Sequence, residues 1–175
     1  MRACLSVLVC ALLLGGCGSG DGDLDKDVVT HLPDGNASGS AASGVYDMEI
    51  YTSACEGMCP EIDYGIFVYH LCDVGDRDST QVLVDQADGH LQVDLDSDQY
   101  VTRLAGGIDS DGSFDIGGYG TQNSGSVQIT ARFQGVISGD EFDGQGRMLG
   151  KGTVDQQRID CTASYEITGT RIQSP

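Results

Sequence analysis

The chain has 175 residues, with nine Lys and Arg against 27 Asp and Glu and a formal net charge of −18. A surface of that sign repels phosphate backbones and anionic lipid, so no nucleic-acid partner is expected, and membrane contact needs a covalent anchor or a transmembrane segment. With 26 Gly, seven Cys and no Trp, the composition argues against a helix bundle and for one small β-rich domain.

The N-terminus reads MRACLSVLVCALLLGGCGSG. Arg2 supplies a short positive region, and Ala3 to Leu14 form an apolar stretch of signal-peptide length. That stretch is too short to span a bilayer, which needs about 20 apolar residues. Leu14-Gly15-Gly16-Cys17 resembles the lipobox of bacterial lipoproteins, with Gly15 where Ala, Ser, Thr or Val is more usual. The resemblance implies that residues 1–16 are a signal peptide and that acyl chains, palmitate among them, modify Cys17. Gly18 is not the Asp that favours inner-membrane retention in that family. This implies the outer membrane, with the periplasmic face favoured over surface exposure. Two or more acyl chains anchor firmly, since each buried methylene contributes about 0.8 kcal/mol. The plain alternative is ordinary signal-peptidase cleavage, with Cys17 a stray thiol and an odd cysteine count.

Residues 17–43 read as the lipidated cysteine and a flexible acidic tether, rich in Gly, Ser, Ala and Asp. Such a chain, treated as a coil, has a reach of roughly 25–30 Å. Asp21, Asp23, Asp25 and Asp27 alternate there, but an EF-hand needs Gly and Glu where Lys26 and Leu32 stand.

Residues 44–175 form a β domain of about nine short strands. Val45 to Tyr51 opens it, and Tyr64 to Leu71 is nearly all apolar, as a strand buried on both faces would be. Gln81 to Asp85 and Leu91 to Leu95 flank an Asp88-Gly89 turn; Gln99 to Leu104 and Ser113 to Ile116 flank Asp111-Gly112. Gly117 to Gly125 reads as a loop. Ser126 to Ile137 alternates, with Val127, Ile129, Ala131 and Phe133 on one face. Glu141 to Leu149 follows, and Arg158 to Ile172 closes the domain with Ile159, Cys161, Ala163, Tyr165 and Ile167 on one face. No helix is expected. The turns are too short for parallel crossovers, so the fold class is all-β: a single antiparallel barrel or sandwich.

Gly44-Val45-Tyr46 and Arg171 resemble two features of calycins, the lipocalin-like barrels. That family opens its first strand with Gly-x-Trp and packs a late Arg across the barrel end. Here Tyr replaces Trp, and Arg171 shares a face with Cys161 and Tyr165. The resemblance favours the barrel. The lipobox, acidic segment and small β domain together resemble uncharacterised small lipoproteins of myxobacteria, which implies no activity.

Cys55, Cys59, Cys72 and Cys161 lie in the β domain, and in an oxidising compartment two disulfides are the default. Three connectivities exist; adjacency favours Cys55–Cys59 with Cys72–Cys161. The alternative is a soft-metal site, because Cys55, Met58 and Cys59, with His70 added, resemble the C-x3-C-P of Sco-type copper chaperones. That family places the motif in a thioredoxin-like fold, which hairpins do not supply. Asp94-x-Asp96-x-Asp98 and Asp109 to Asp115 hint at calcium but complete no ligand set. His31, His70 and His90 select no nucleophile triad, and no catalytic motif occurs. The expectation is therefore a non-enzymatic, cofactor-free binding or structural module, its partner a small apolar ligand or a protein.

Overall fold

The structure, a computed structural model, describes residues 21–63, 68–70, 72–95, 101–122 and 125–174. Its strands are β1 (Gly44–Met58), β2 (Glu61–Asp63), β3 (Val68–His70), β4 (Arg77–Ala87), β5 (His90–Asp94), β6 (Arg103–Ile108), β7 (Ser113–Gln122), β8 (Val127–Ser138), β9 (Glu141–Val154) and β10 (Gln157–Gln173). Eight of them close an antiparallel barrel in the order β1-β10-β9-β8-β7-β6-β5-β4. Closure leaves none of these eight with an open edge, and it is β10 pairing with β1 that completes it.

Alternation puts one residue face inside. On β10, Ile159, Cys161, Ala163 and Ile167 are buried; on β8, Val127, Ile129 and Ala131 are. One end of the barrel is packed solid. Phe142 lies 5.6 Å from Tyr46 and 6.5 Å from Phe114, ring centroid to centroid. Arg171 seals this end: its Nε donates to Tyr46 Oη at 3.0 Å, and its guanidinium also reaches the Ala41 and Gly139 carbonyls.

Three elements depart from the sequence reading. The apolar run Tyr64 to Leu71 is not a central strand. Its described part, β3, pairs only with β2, in a two-stranded sheet outside the barrel; residues 64–67 and 71 lie outside the described residues. Gly117 to Gly120 is not a loop but the second half of β7, where small residues let neighbours come close. Residues 103–108 form β6, whereas of the expected Gln99 to Leu104 residues 101–102 precede the strand and residues 99–100 lie outside the described residues.

The largest departure is the segment before β1. The expected tether is, from residue 22 onward, laid against the barrel. A 3-10 turn (Asp21–Leu24) and a one-turn helix α1 (Lys26–Val29) bury Leu24 and Val29 with Leu149 on the outer wall. Asp25 caps α1 by accepting from Asp27 N–H, Arg147 donates to Asp23, and Lys26 sits 4.2 Å over the Tyr119 ring. The chain then crosses the sealed end, where Gly35 N–H donates to Gly89 O and Ala37 N–H to Ile108 O. Composition hides this packing because so few apolar anchors suffice: Leu24, Val29 and Ala42 are buried, Ala37 packs on the core, and backbone hydrogen bonds do the rest. Residues 1–20, with Leu14 to Cys17, lie outside the described residues.

Candidate functional site

Below the sealed end the barrel is hollow. A cavity of about 540 Å³ occupies its middle and opens at the opposite end. Its walls come from the inward positions of the strands, among them Met48, Val82, Leu91, Ile116, Ala131 and Ile167. Phe114 and Phe142 form the floor, and Phe133 stacks on Tyr165 along one side at 6.4 Å. Protein interiors rarely leave a void larger than a water molecule. This void lies instead in the size range of small-molecule sites, roughly 300–1,000 Å³.

The mouth has a different chemistry. Asp73, Asp76 and Asp78 line it, with Thr80 one step further in. On β4, Asp78, Thr80, Val82 and Val84 share the inward face, so polarity falls along one row from mouth to floor. The turn before β4 is tied to β1 by two backbone hydrogen bonds, Thr52 N–H to Asp76 O and Gly75 N–H to Thr52 O. Cys55–Cys72 bonds the same turn covalently to β1.

The cysteines pair as Cys55–Cys72 and Cys59–Cys161, with Cα–Cα distances of 5.9 and 4.7 Å. The expected Cys55–Cys59 and Cys72–Cys161 pairing is therefore corrected. The reason is β1's length: it stays extended through Met58. Three extended steps, from Cys55 to Met58, already carry the chain about 10 Å along the strand, beyond the roughly 7 Å that a disulfide can bridge. Cys161 faces Gly57 across the ladder, within reach once the chain turns after Met58. The two bridges bracket the β2–β3 hairpin and hold it at the mouth end.

The proposed metal ligands are not brought together as thiolates. Cys55 and Cys59 are each bonded elsewhere, Met58 is exposed, and His70 ends β3. Among the described residues no three His, Cys, Asp or Glu converge as a metal cluster would. Of the acidic motifs, Asp94 binds Arg103 at 2.6 Å, Asp109 accepts from Asn36 N–H, and Asp111 accepts from the Ser113 hydroxyl and N–H, while Asp96 and Asp98 lie outside the described residues. The Ser113 bonds hold Asp111 below the usual carboxylate range. His90 pairs with Asp34 on the surface at 2.7 Å, and His31 contacts its own helical turn.

Comparison of the chain with protein families, characterised proteins and solved structures gives no match. The cavity geometry is therefore the basis for a functional reading. Alternation in the sequence placed the wall residues Ala131, Phe133, Tyr165 and Ile167 on the inward faces of their strands but did not single out Asp73, Asp76 or Asp78. The parity of Asp78 with Thr80, Val82 and Val84 is the signal that could have found the rim.

Proposed function

We propose that this chain is a lipid-anchored envelope protein whose barrel holds a small apolar ligand and performs no chemistry on it. The observation that carries the binding role is the apolar cavity of about 540 Å³ inside a closed barrel with one sealed end. Empty apolar space of this kind is filled favourably by an apolar guest. The sulfurs of Cys55 and Cys59, each committed to a disulfide, support this reading over a soft-metal module.

The anchor rests on Leu14 to Cys17 and on the expected outer-membrane sorting. Among the described residues no helix is long and apolar enough to cross a membrane. If Cys17 carries the lipid, the packing of residues 22–43 shortens its tether. Residues 18–20 then separate Cys17 from the turn that begins at Asp21, a reach of at most about 14 Å over four extended steps instead of the coil's roughly 25–30 Å. The barrel would ride close to the bilayer.

Ligand binding is tested with a neutral fluorescent guest, N-phenyl-1-naphthylamine. Its emission should rise on entering the cavity. The wall substitution Ala131→Phe, which narrows the void, should weaken the rise while the circular dichroism of the barrel persists. No saturable signal from the wild type would defeat the binding role.

A further inference from the structure

We infer that the cavity selects an amphipathic ligand with an apolar body and a cationic head, such as a long-chain amine, over the corresponding carboxylate. The inference rests on the binding role proposed above and names its ligand class. The site is the cavity; the mouth decides the head.

Among the described residues, every charged side chain that lines the cavity is a carboxylate: Asp73, Asp76 and Asp78. All three are exposed at the rim. Among the described residues, the carboxylates of Asp76 and Asp78 each accept a hydrogen bond only from the next residue's backbone, Arg77 N–H at 2.9 Å and Ser79 N–H at 2.8 Å. Among the described residues none of the three forms an ion pair.

The nearby cations point elsewhere. Arg77 lies on the outer face of β4, with its guanidinium 4.7 Å over the Tyr51 ring. Arg103 is held by Asp94, and at the same barrel end Arg158 and Lys151 lie at 3.1 and 4.0 Å from Asp160. None of these four lines the cavity. The sequence around the mouth agrees. The described turn before β4, residues 72–76, contains no Lys or Arg.

A guest with its tail on Phe114 and Phe142 therefore places its head among carboxylates. A carboxylate head would bury its tail equally well but meet like charge at the protein surface, where the effective dielectric is below that of bulk water and Coulomb terms are larger. An ammonium head gains from the same field, and an alcohol falls between.

The test is displacement of bound N-phenyl-1-naphthylamine from the purified protein by dodecylamine, dodecanol and dodecanoate, each below its micelle-forming concentration. Dodecylamine should displace the probe at a concentration at least about tenfold below that of dodecanoate, with the gap shrinking at high salt. The variant D73N/D76N/D78N should bind the probe as before and bring the two within about threefold. A control variant, D47N/E141Q/D143N, removes the same charge from exposed positions toward the sealed end and should keep the preference. Equal displacement by amine and carboxylate in the wild type would overturn the inference. So would a preference that survives the rim variant, or one that the control variant loses equally. A probe that never binds defeats the cavity reading itself, a separate result.

Discussion

Arg171 near the end of β10 donates from Nε to the hydroxyl of Tyr46 near the start of β1, at 3.0 Å. The Tyr46 hydroxyl passes a hydrogen bond on to Ala42 O at 2.9 Å. First strand, last strand and the segment before the barrel thus meet at one phenol, and the guanidinium lies 5.3 Å from the ring centroid. Arg171→Ala should cost about 2 kcal/mol in urea unfolding, and Tyr46→Phe about 1 kcal/mol. A double-mutant cycle should show coupling; strictly additive effects would mean the two residues act separately. Burial raises the Tyr46 phenol above its ordinary value, with the Arg171 hydrogen bond pulling the other way. The neutral phenol therefore contributes stability below the unfolded-state value near 10 and loses it as pH rises through the higher folded value. Tyr46→Phe should flatten the alkaline limb of the stability profile.

The disulfide pairing makes an unequal prediction. Cys59–Cys161 closes 102 residues and Cys55–Cys72 closes 17. By loop entropy, removing the long bridge as a double Cys→Ala variant should cost about 4–5 kcal/mol, against about 3 kcal/mol for the short one. Non-reducing peptide mapping should find both links. A peptide joining Cys55 to Cys59 would contradict the pairing.

The segment before β1 depends on Gly117. A Cβ there would meet Val29 O at 2.6 Å, Val29 Cβ at 2.9 Å and Leu32 Cδ1 at 3.1 Å. Gly117→Leu should lift residues 22–32 off the wall. Limited proteolysis should then cut that stretch while the barrel strands stay protected. An equally resistant segment in the variant would show that Gly117 does not govern the packing.

Acid stability has an identifiable contributor on the outer wall. Arg132 on β8 binds Asp115 on β7 through two hydrogen bonds, at 2.9 and 2.6 Å, and Gln134 adds a third. Burial acts to raise the Asp115 carboxyl, but these bonds outweigh it and hold it below the usual value. A depressed carboxyl contributes stability that is present above the unfolded-state value near 3.9 and lost as pH falls through the folded one. Asp115→Asn should therefore cost about 1 kcal/mol at neutral pH, a modest figure because a third of the side chain is exposed. The difference from wild type should vanish in strong acid. A gap that persists there would assign the loss to packing.

Alternation made the barrel legible. β8 and β10 occur almost where periodicity puts them, because an inward face must be apolar and an outward one need not be. Tyr46 and Arg171 were singled out by the resemblance of Gly44-Val45-Tyr46 and a late Arg to the calycin pattern, with Arg171 on the face of Cys161 and Tyr165. The same reasoning fails where local pattern does not decide. Tyr64 to Leu71 has a buried strand's composition, yet β3 stands outside the barrel, because closure already gives β1 and β4 to each other as neighbours. The glycines of β7 look like a loop until Val29 and Val101 are seen packed against them.

By itself, then, the sequence determined the all-β class, the antiparallel connections, the presence of two disulfides' worth of cysteines, and the acidic character of the surface. These follow from period, turn chemistry and charge, which are local properties of the chain. Only the tertiary structure decided which cysteines pair, that residues 22–43 lie on the barrel, and that the interior stays open above Phe114 and Phe142. Each depends on distances between residues far apart in sequence. A void above all has no residue of its own to announce it: the apolar residues that line a cavity are the ones that would fill a solid core.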